Sequence, residues 1–566
     1  MNFVPQTPVQ KSLTPGKKNI TTYLVIAILL ALAAFIYILP GFLQQPLNST
    51  GESRIYYMGR LIDATAIYKD ETLYLPFAFI KEKIDPNIAW DEKNSLVIIT
   101  TAKNVFHFPL GIKEGLLNLE TYSFTYPVVR EGETLYVPAD PLKDVYDLEV
   151  FEDTLGKLVR VHDLKEPVQE AVVTKKSKLR KEPSFRSSYV VKVTRDEPVS
   201  VMREDQGWFW VETAAGTMGY IEKNNVKLTT IKTADIIKES YPPWNPLGKP
   251  IILTWEYASQ TTVDPAKIGE LDGVQVLSPT WFHLTEDGLV INRADKHYVD
   301  WAHQQGRQVW ALFDNNFDPE LTHRFFSDAE LRIKVIKQLL SYVDLYKLDG
   351  INIDFENMSL QDKGSFVQFI RELAPLLHEK ERTLSIDVTF LSSSENWSMC
   401  YDRKALSEAA DYLIVMGYDE NGQGSRVAGS VSSLPWVEAG LMKILKEVPP
   451  GKLILGIPFY TRLWQEETDA EGKTKLTSKA LSMDSAAEWI SANGAEIIID
   501  EKSGQHYVEV SKDNMTYRMW LEDDYSLTKR VELMKKYRLA GLGAWRRGFE
   551  NEEAWPVLSN LAKQVW

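Results

Sequence analysis

Three hydrophobic patterns follow one another along this 566-residue chain. The first is an uninterrupted apolar run, Tyr23–Leu39 (YLVIAILLALAAFIYIL), inside a stretch from Asn19 to Gly51 that has no charged side chain. Extended through Pro40 to Leu43, it reaches about the 20 residues needed to cross hydrocarbon. Lys11, Lys17 and Lys18 precede it, and no basic residue follows until Arg54. The positive-inside tendency then puts residues 1–18 in the cytoplasm and everything after Gly41 outside. The run is longer than a usual signal-peptide core, and no small-x-small cleavage site follows it. The pattern therefore predicts an uncleaved transmembrane anchor over 19–43, in preference to a signal peptide or a buried core helix.

The second pattern is one of short alternating runs between turn residues. ETLYLP (Glu71–Pro76) recurs as ETLYVP (Glu133–Pro138), and WDEKNSLVIITT (Trp90–Thr101) is matched in type by FEDTLGKLVRVH (Phe151–His162). Each half reads as strand, turn, strand, short helix and closing hairpin. Two small α+β repeats are thus expected over 53–165. Val172–Leu228 holds KLRKEPSFRSS, VVKVTRDEPVSVMRE, GWFWVET and GTMGYIEKNNVKL. Strands this short, broken this often, predict a small β-barrel over 171–229. Proline-rich SYPPWNPLG (Ser240–Gly248) marks a linker over 240–249.

From residue 250 the rhythm changes again. Strand-length apolar runs occur at 251–257, 274–282, 308–314, 350–356, 384–390, 412–418, 452–460 and 539–545. Amphipathic helical segments such as Asp328–Lys347 and Gly364–Lys380 separate several of them. Eight strands with intervening helices predict a C-terminal (β/α)8 barrel over 250–566. A polar stretch near Gln465–Arg518 reads as an insertion before its last strand. The expected fold class is multidomain: a transmembrane helix, two α+β repeats, a small β-barrel and the (β/α)8 barrel.

Composition narrows the function. With 44 % hydrophobic and 25 % charged residues, the chain is not wholly disordered. A net charge of −14 disfavours a nucleic-acid partner, whose phosphates need a basic surface. Cys400 is the sole cysteine, so neither an intrachain disulfide nor a cysteine-based zinc site can form. The eight histidines include no HExxH pattern, and His107 and His162 each stand alone and read as structural. No metal or organic cofactor is implied. The 16 Trp and 25 Tyr suit stacking on sugar faces, although large cores use aromatics as well.

The candidate chemistry lies in Asp349-Gly-Ile-Asn-Ile-Asp-Phe-Glu356. Ile351, Ile353 and Phe355 alternate with Asn352, Asp354 and Glu356, so the three polar groups share one face of a strand. In a barrel the apolar face packs on the helices and the polar face turns into the lumen. Glu356 then projects at the C-terminal mouth, where such barrels do their chemistry. Burying carboxylates there is costly unless they have partners or a task.

At these residues the chain resembles glycoside hydrolase family 18, whose fourth-strand fingerprint is DGxDxDxE. Asp349, Gly350, Asp354 and Glu356 match it, and Asn352 departs from the commonest residue. Met416-Gly-Tyr-Asp419 is similar to the family's MxYD on the sixth strand, and Trp545 stands where the family keeps a sugar-floor tryptophan. The resemblance implies that Glu356 is the general acid, Asp354 the residue that steadies the substrate's acetamido group, and Tyr418 a donor to the acetamido oxygen. Trp545, Asp419, Asn352 and Trp281 are then candidate substrate contacts. Trp310 and Trp255 read more readily as packing, and Arg462 and Glu522 are weaker candidates still.

LRKEPS, Gly207–Trp208 and Gly219–Tyr220–Ile221 look like a bacterial SH3-type domain, and the repeats over 53–165 resemble the N-terminal module of copper amine oxidases. DGINIDFEN is similar to the branch holding spore-cortex-lytic N-acetylglucosaminidases. The combined expectation is a membrane-anchored hydrolase on the cell-wall side. It would cleave β-1,4 bonds after N-acetylglucosamine in peptidoglycan by substrate-assisted, retaining catalysis. The alternatives are a chitinase acting on chitooligosaccharides and a non-catalytic, lectin-like wall protein.

Overall fold

The computed structural model describes residues 53–153, 158–233, 244–245, 249–468, 474–512 and 514–562. The anchor expected over 19–43 lies outside them. Among the described residues no helix is long and apolar enough to cross a membrane. The chain divides into two compact units. Of the described residues, one takes those up to Phe79 together with Tyr136 to residue 233, and the other takes Ile80–Leu135 and those from residue 244 onward.

In the first unit the two echoing hexapeptides meet. Strands Thr72–Pro76 and Thr134–Pro138 pair antiparallel, with Tyr136 opposite Pro76, Val137 opposite Leu75 and Pro138 opposite Tyr74. The two copies of the motif are therefore neighbours in one sheet, related by a local two-fold. The later strand Leu158–Asp163 returns to pair in parallel with Ser53–Tyr57. Residues 168–232 form seven further strands around a core of Ala171, Val173, Leu179, Val193, Val199, Phe209, Val211 and Ile221. These seven strands form one sheet in the segment where the turn spacing predicts a small β-barrel.

The second unit contains the large barrel. Its strands are β1 (Ile251–Glu256), β2 (Val276–Leu284), β3 (Gln308–Asp314), β4 (Gly350–Asp354), β5 (Thr383–Thr389), β6 (Tyr412–Met416), β7 (Leu453–Pro458) and β8 (Gly541–Trp545). Each pairs in parallel with the next, and β8 closes on β1 with Gly541 opposite Ile251. All eight predicted runs are present. Ile351, Ile353 and Phe355 point outward, and Phe355 packs on Phe325, Phe326, Phe366 and Phe369 of the surrounding helices. The lumen is filled by Leu253, Trp255, Val276, Trp310, Leu312, Tyr412 and Ile414. The fourth-strand alternation thus resolves as expected, with the apolar face on helices and the polar face inside.

Two attachments complete this unit. Residues 460–520 form a five-stranded sheet with the helix Met483–Asn493, inserted between β7 and β8. The other attachment is a five-stranded sheet over 89–123, drawn from the segment of the α+β repeats. Asp91 and Asn94 accept the backbone N–H of Ala329 at 3.0 and 2.9 Å, capping the helix Ala329–Tyr346 from 235 or more residues away. Beside them Arg332 is buried. It donates to both carboxylate oxygens of Glu372, to Asp91 and to the carbonyl of Phe326.

Candidate active site

Asp354 is the last residue of β4, and Glu356 lies one alternation beyond it. Both residues are largely buried at the C-terminal end of the strand, with a small part of each left accessible. Their backbone is held from two directions. Asn315, just past β3 and 1 % exposed, accepts the N–H of Glu356 at 3.1 Å and donates to its carbonyl at 2.8 Å. From the β5 side, Tyr401 donates its hydroxyl to the carbonyl of Phe355 at 2.8 Å.

Asn352 is completely buried, and both its oxygen and its nitrogen are hydrogen-bonded. Its Oδ1 accepts from Trp255 Nε1 at 3.0 Å and from Ser278 Oγ at 3.1 Å, while its Nδ2 donates to Asp387 Oδ1 at 2.9 Å. The Trp255 indole reaches this point because β8 has glycine beside it. A Cβ at Gly543 would lie 3.1 Å from the ring.

The electrostatics follow from crowding acids in a low-dielectric mouth. Burial first, then the neighbouring Asp354, Asp387, Asp419 and Asp314, hold the Glu356 carboxyl well above the usual range. Burial and the charge of Asp314 push Asp354 up to about 7. Asp387 is also pushed well up, by burial and by Asp354, against the opposing pull of its hydrogen bond from Asn352. A glutamate kept protonated near neutrality is what general-acid chemistry requires.

The remaining candidates come from β6 and β8. Tyr418 is half-buried two residues past β6, and burial among Asp387, Asp354 and Glu356 raises its phenol well above the ordinary range. Tyr418 packs edge-on to Tyr460, and Tyr460 donates its hydroxyl to Asp419. Trp545 ends β8 half-buried, its ring 5.8 Å from Trp255 in an edge-to-face contact. The segment after it is pinned by Arg547, which pairs through two nitrogens with the buried carboxylate of Glu256. Glu356, Asp354, Asn352, Tyr418, Asp419 and Trp545 thus belong to one mouth.

Other sequence candidates fall elsewhere. Trp281 is fully buried; its indole N–H donates to Thr262 at 2.7 Å and its ring packs edge-on against Tyr298. It is a core residue and not a sugar contact. Trp310 stacks on Tyr412 inside the barrel. Glu522 is buried beneath donors from Gln505, Ser526 and Arg530, a structural role. Asp349 sits at the opposite end of β4, accepting from His303 Nε2 and from the N–H of Val309. Asp387, Asp314 and Asn315 were not singled out by sequence. Nor were the exposed aromatics Tyr257, Phe317 and Trp397, which follow β1, β3 and β5. For Asp314 and Asn315 the available signal was a polar residue at or just past the end of a predicted strand, whereas Asp387 lies inside its strand. Among the described residues no group of three or more His, Cys, Asp or Glu could hold a metal ion.

Comparison with known families places this geometry. Residues 317–550 match the family described as Glycosyl hydrolases family 18. The barrel is a family 18 glycosyl hydrolase domain. Upstream, residues 57–161 match the copper amine oxidase N-terminal domain and residues 174–227 the bacterial SH3 domain. The chain is 26 % identical over 317 residues to a Bacillus subtilis (strain 168) protein described as an uncharacterized glycosylase, YvbX, covering 54 % of this chain and 90 % of that one. Identity to the cortical fragment-lytic enzyme of the same organism is 25 % over 262 residues, 45 % of this chain and 60 % of that enzyme. A solved C-terminal domain from Desulfitobacterium hafniense DCB-2 gives a TM-score of 0.50 at 24 % identity, covering 56 % of this chain and 99 % of that one. That likeness concerns the fold. The family 18 assignment makes the protein a glycosidase, and its fourth-strand motif holds the half-open Glu356.

Proposed function

We propose that this protein hydrolyses β-1,4 bonds after N-acetylglucosamine in peptidoglycan or its fragments, with retention of configuration. The observation that carries the reading is the pairing of Glu356 and Asp354 on one face of the chain at the C-terminal end of β4, both kept partly accessible. Family 18 enzymes use the substrate's own acetamido group in place of a carboxylate nucleophile. Glu356 protonates the leaving oxygen as the acetamido oxygen attacks the anomeric carbon, and later takes a proton from the incoming water. Asp354 accepts from the acetamido N–H and stabilises the positive oxazolinium ion. Tyr418 donates to the acetamido oxygen and fixes its line of attack; such positioning contributes several kcal/mol, on the order of 7 or more at best. Trp545 supplies the face on which the sugar rests.

Peptidoglycan is favoured over chitin because one relative is named a cortical fragment-lytic enzyme and because the chain carries a bacterial SH3 match. The uncharged run at 19–43 supports attachment to the outer face of the cell membrane, beside the wall. Digesting purified wall and chitin oligomers in parallel and weighing the products tests this. Muropeptides ending in reducing N-acetylglucosamine are expected, and release from chitin alone would overturn the choice. In the same assay Glu356→Gln is expected to lose turnover by about a thousandfold or more while still binding oligosaccharide. Wild-type protein as inert as that variant would leave only a lectin.

A further inference from the structure

The third strand carries a carboxylate that the mechanism above does not use. Asp314 ends β3, and in the β3–β4 ladder it stands directly opposite Asp354. Neighbouring strands are about 4.8 Å apart, so the two acids leave the sheet side by side. Asp314 is in turn opposite His283 of β2, and the two side chains are joined, Asp314 Oδ2 to His283 Nδ1, at 2.7 Å. The other oxygen of Asp314 accepts the N–H of Asn316 at 3.0 Å. His283 is 8 % exposed, and its Nε2 is buried with no partner. Asp354 Oδ1 is likewise buried with no partner. A row of three residues in register, one from each of three strands, thus leads to the catalytic pair.

Two carboxylates this close do not both ionise cheaply, so one of them keeps a proton. Asp314 has two hydrogen-bond partners for its carboxylate, whereas Asp354 Oδ1 has none. We propose that Asp314, fixed by His283, is a positioning residue that keeps a proton on the Asp354–Glu356 pair at neutral pH, so that Glu356 enters the reaction as an acid. The inference rests on the glycosidase reading above. The groups facing that pair are Asp314 and, behind it, His283 on the β2–β3 side, Asp387 and Tyr401 on the β5 side, and Tyr418 and Asp419 past β6. Of the aspartates on flanking strands, Asp387 is bonded to Asn352. Asp314 has no such amide and works on Asp354 directly. The charge on Asp314 is one of the causes that raise both Asp354 and Glu356.

The test is the pH profile of kcat/KM on an N-acetylglucosamine oligomer for wild type, Asp314→Asn and Asp314→Glu, with thermal melts to confirm folding. Removing the charge is expected to move the alkaline limb toward acid by about one pH unit. Asp314→Glu, which keeps the charge, is expected to leave the limb in place. A profile for Asp314→Asn that is merely scaled down at every pH would overturn the proposal. If that variant does not fold, Asp314→Ser serves the same comparison.

A second readout needs no turnover. Affinity for triacetylchitotriose, read from tryptophan fluorescence between pH 5 and 9, is compared for Glu356→Gln and for Glu356→Gln with Asp314→Asn. The pH dependence of binding is expected to shift toward acid in the double variant. Superimposable curves would sink the role of Asp314. A wild type that turns over no glycan would instead sink the functional reading.

Discussion

Asn352 donates its amide N–H to Asp387 Oδ1 at 2.9 Å, across the gap between β4 and β5. That bond explains the one departure from the fourth-strand motif. With Trp255 and Ser278 donating to its oxygen, the amide satisfies two donors and one carboxylate at once. A carboxylate in its place would keep the two donors but set two buried acids, at 352 and 387, against each other, so that one of them must hold a proton.

Asn352→Asp is therefore expected to cost about 1–3 kcal/mol of stability, measured by chemical denaturation at neutral pH. The added negative charge also raises the neighbouring acids, so the alkaline limb of kcat/KM should move to higher pH. A variant as stable as wild type with an unmoved limb would contradict the role given to the amide.

Asp354→Asn separates stability from activity. In the folded protein Asp354 is pushed up to about 7 from an ordinary 3.8, so the native state binds the proton more tightly than the unfolded state does. Stability from this group is full below about pH 4 and is lost as pH rises toward 7. The amide has no such loss. The variant's melting temperature should match wild type near pH 4 and exceed it at pH 8, while its kcat falls by about a hundredfold or more. Equal pH dependence of the two melting curves would refute this.

Two tryptophans should respond in opposite ways. Trp545→Ala is expected to weaken oligosaccharide affinity by about tenfold or more while changing stability little, because the ring is half open at the mouth. Trp281→Ala removes a fully buried ring and should cost about 3–5 kcal/mol. Titration by fluorescence and denaturation of both variants distinguishes floor from core.

Arg332→Met leaves Glu372 buried with its main cationic partner gone. Breaking one side of a buried pair costs about 3–5 kcal/mol. Loss of that size in the denaturation midpoint is expected, with the 89–123 sheet more open to protease. The double variant Arg332→Met with Glu372→Leu should recover much of it.

Much of this was legible because the signals were local. Each barrel strand is a compact apolar run, and Asp354, Glu356, Tyr418 and Trp545 belong to short motifs on single strands. Asp314 and Asp387 carry no such pattern, because their meaning arises only when β3, β4 and β5 lie side by side. Trp281 was misread for a related reason. Every residue of β2 is buried, so alternation gives no clue to which side a ring faces. The capping of Ala329 by Asp91 and Asn94 joins positions too far apart in the chain to leave a trace in either neighbourhood. The anchor at 19–43 rests on sequence alone.

Asn315 and Tyr401 grip only main-chain atoms of Phe355 and Glu356. The mount for the reactive group is consequently indifferent to what is mounted on it. The side chain at position 356 can therefore be exchanged with its seat left standing, so that a variant there reports on chemistry alone and not on a collapsed backbone.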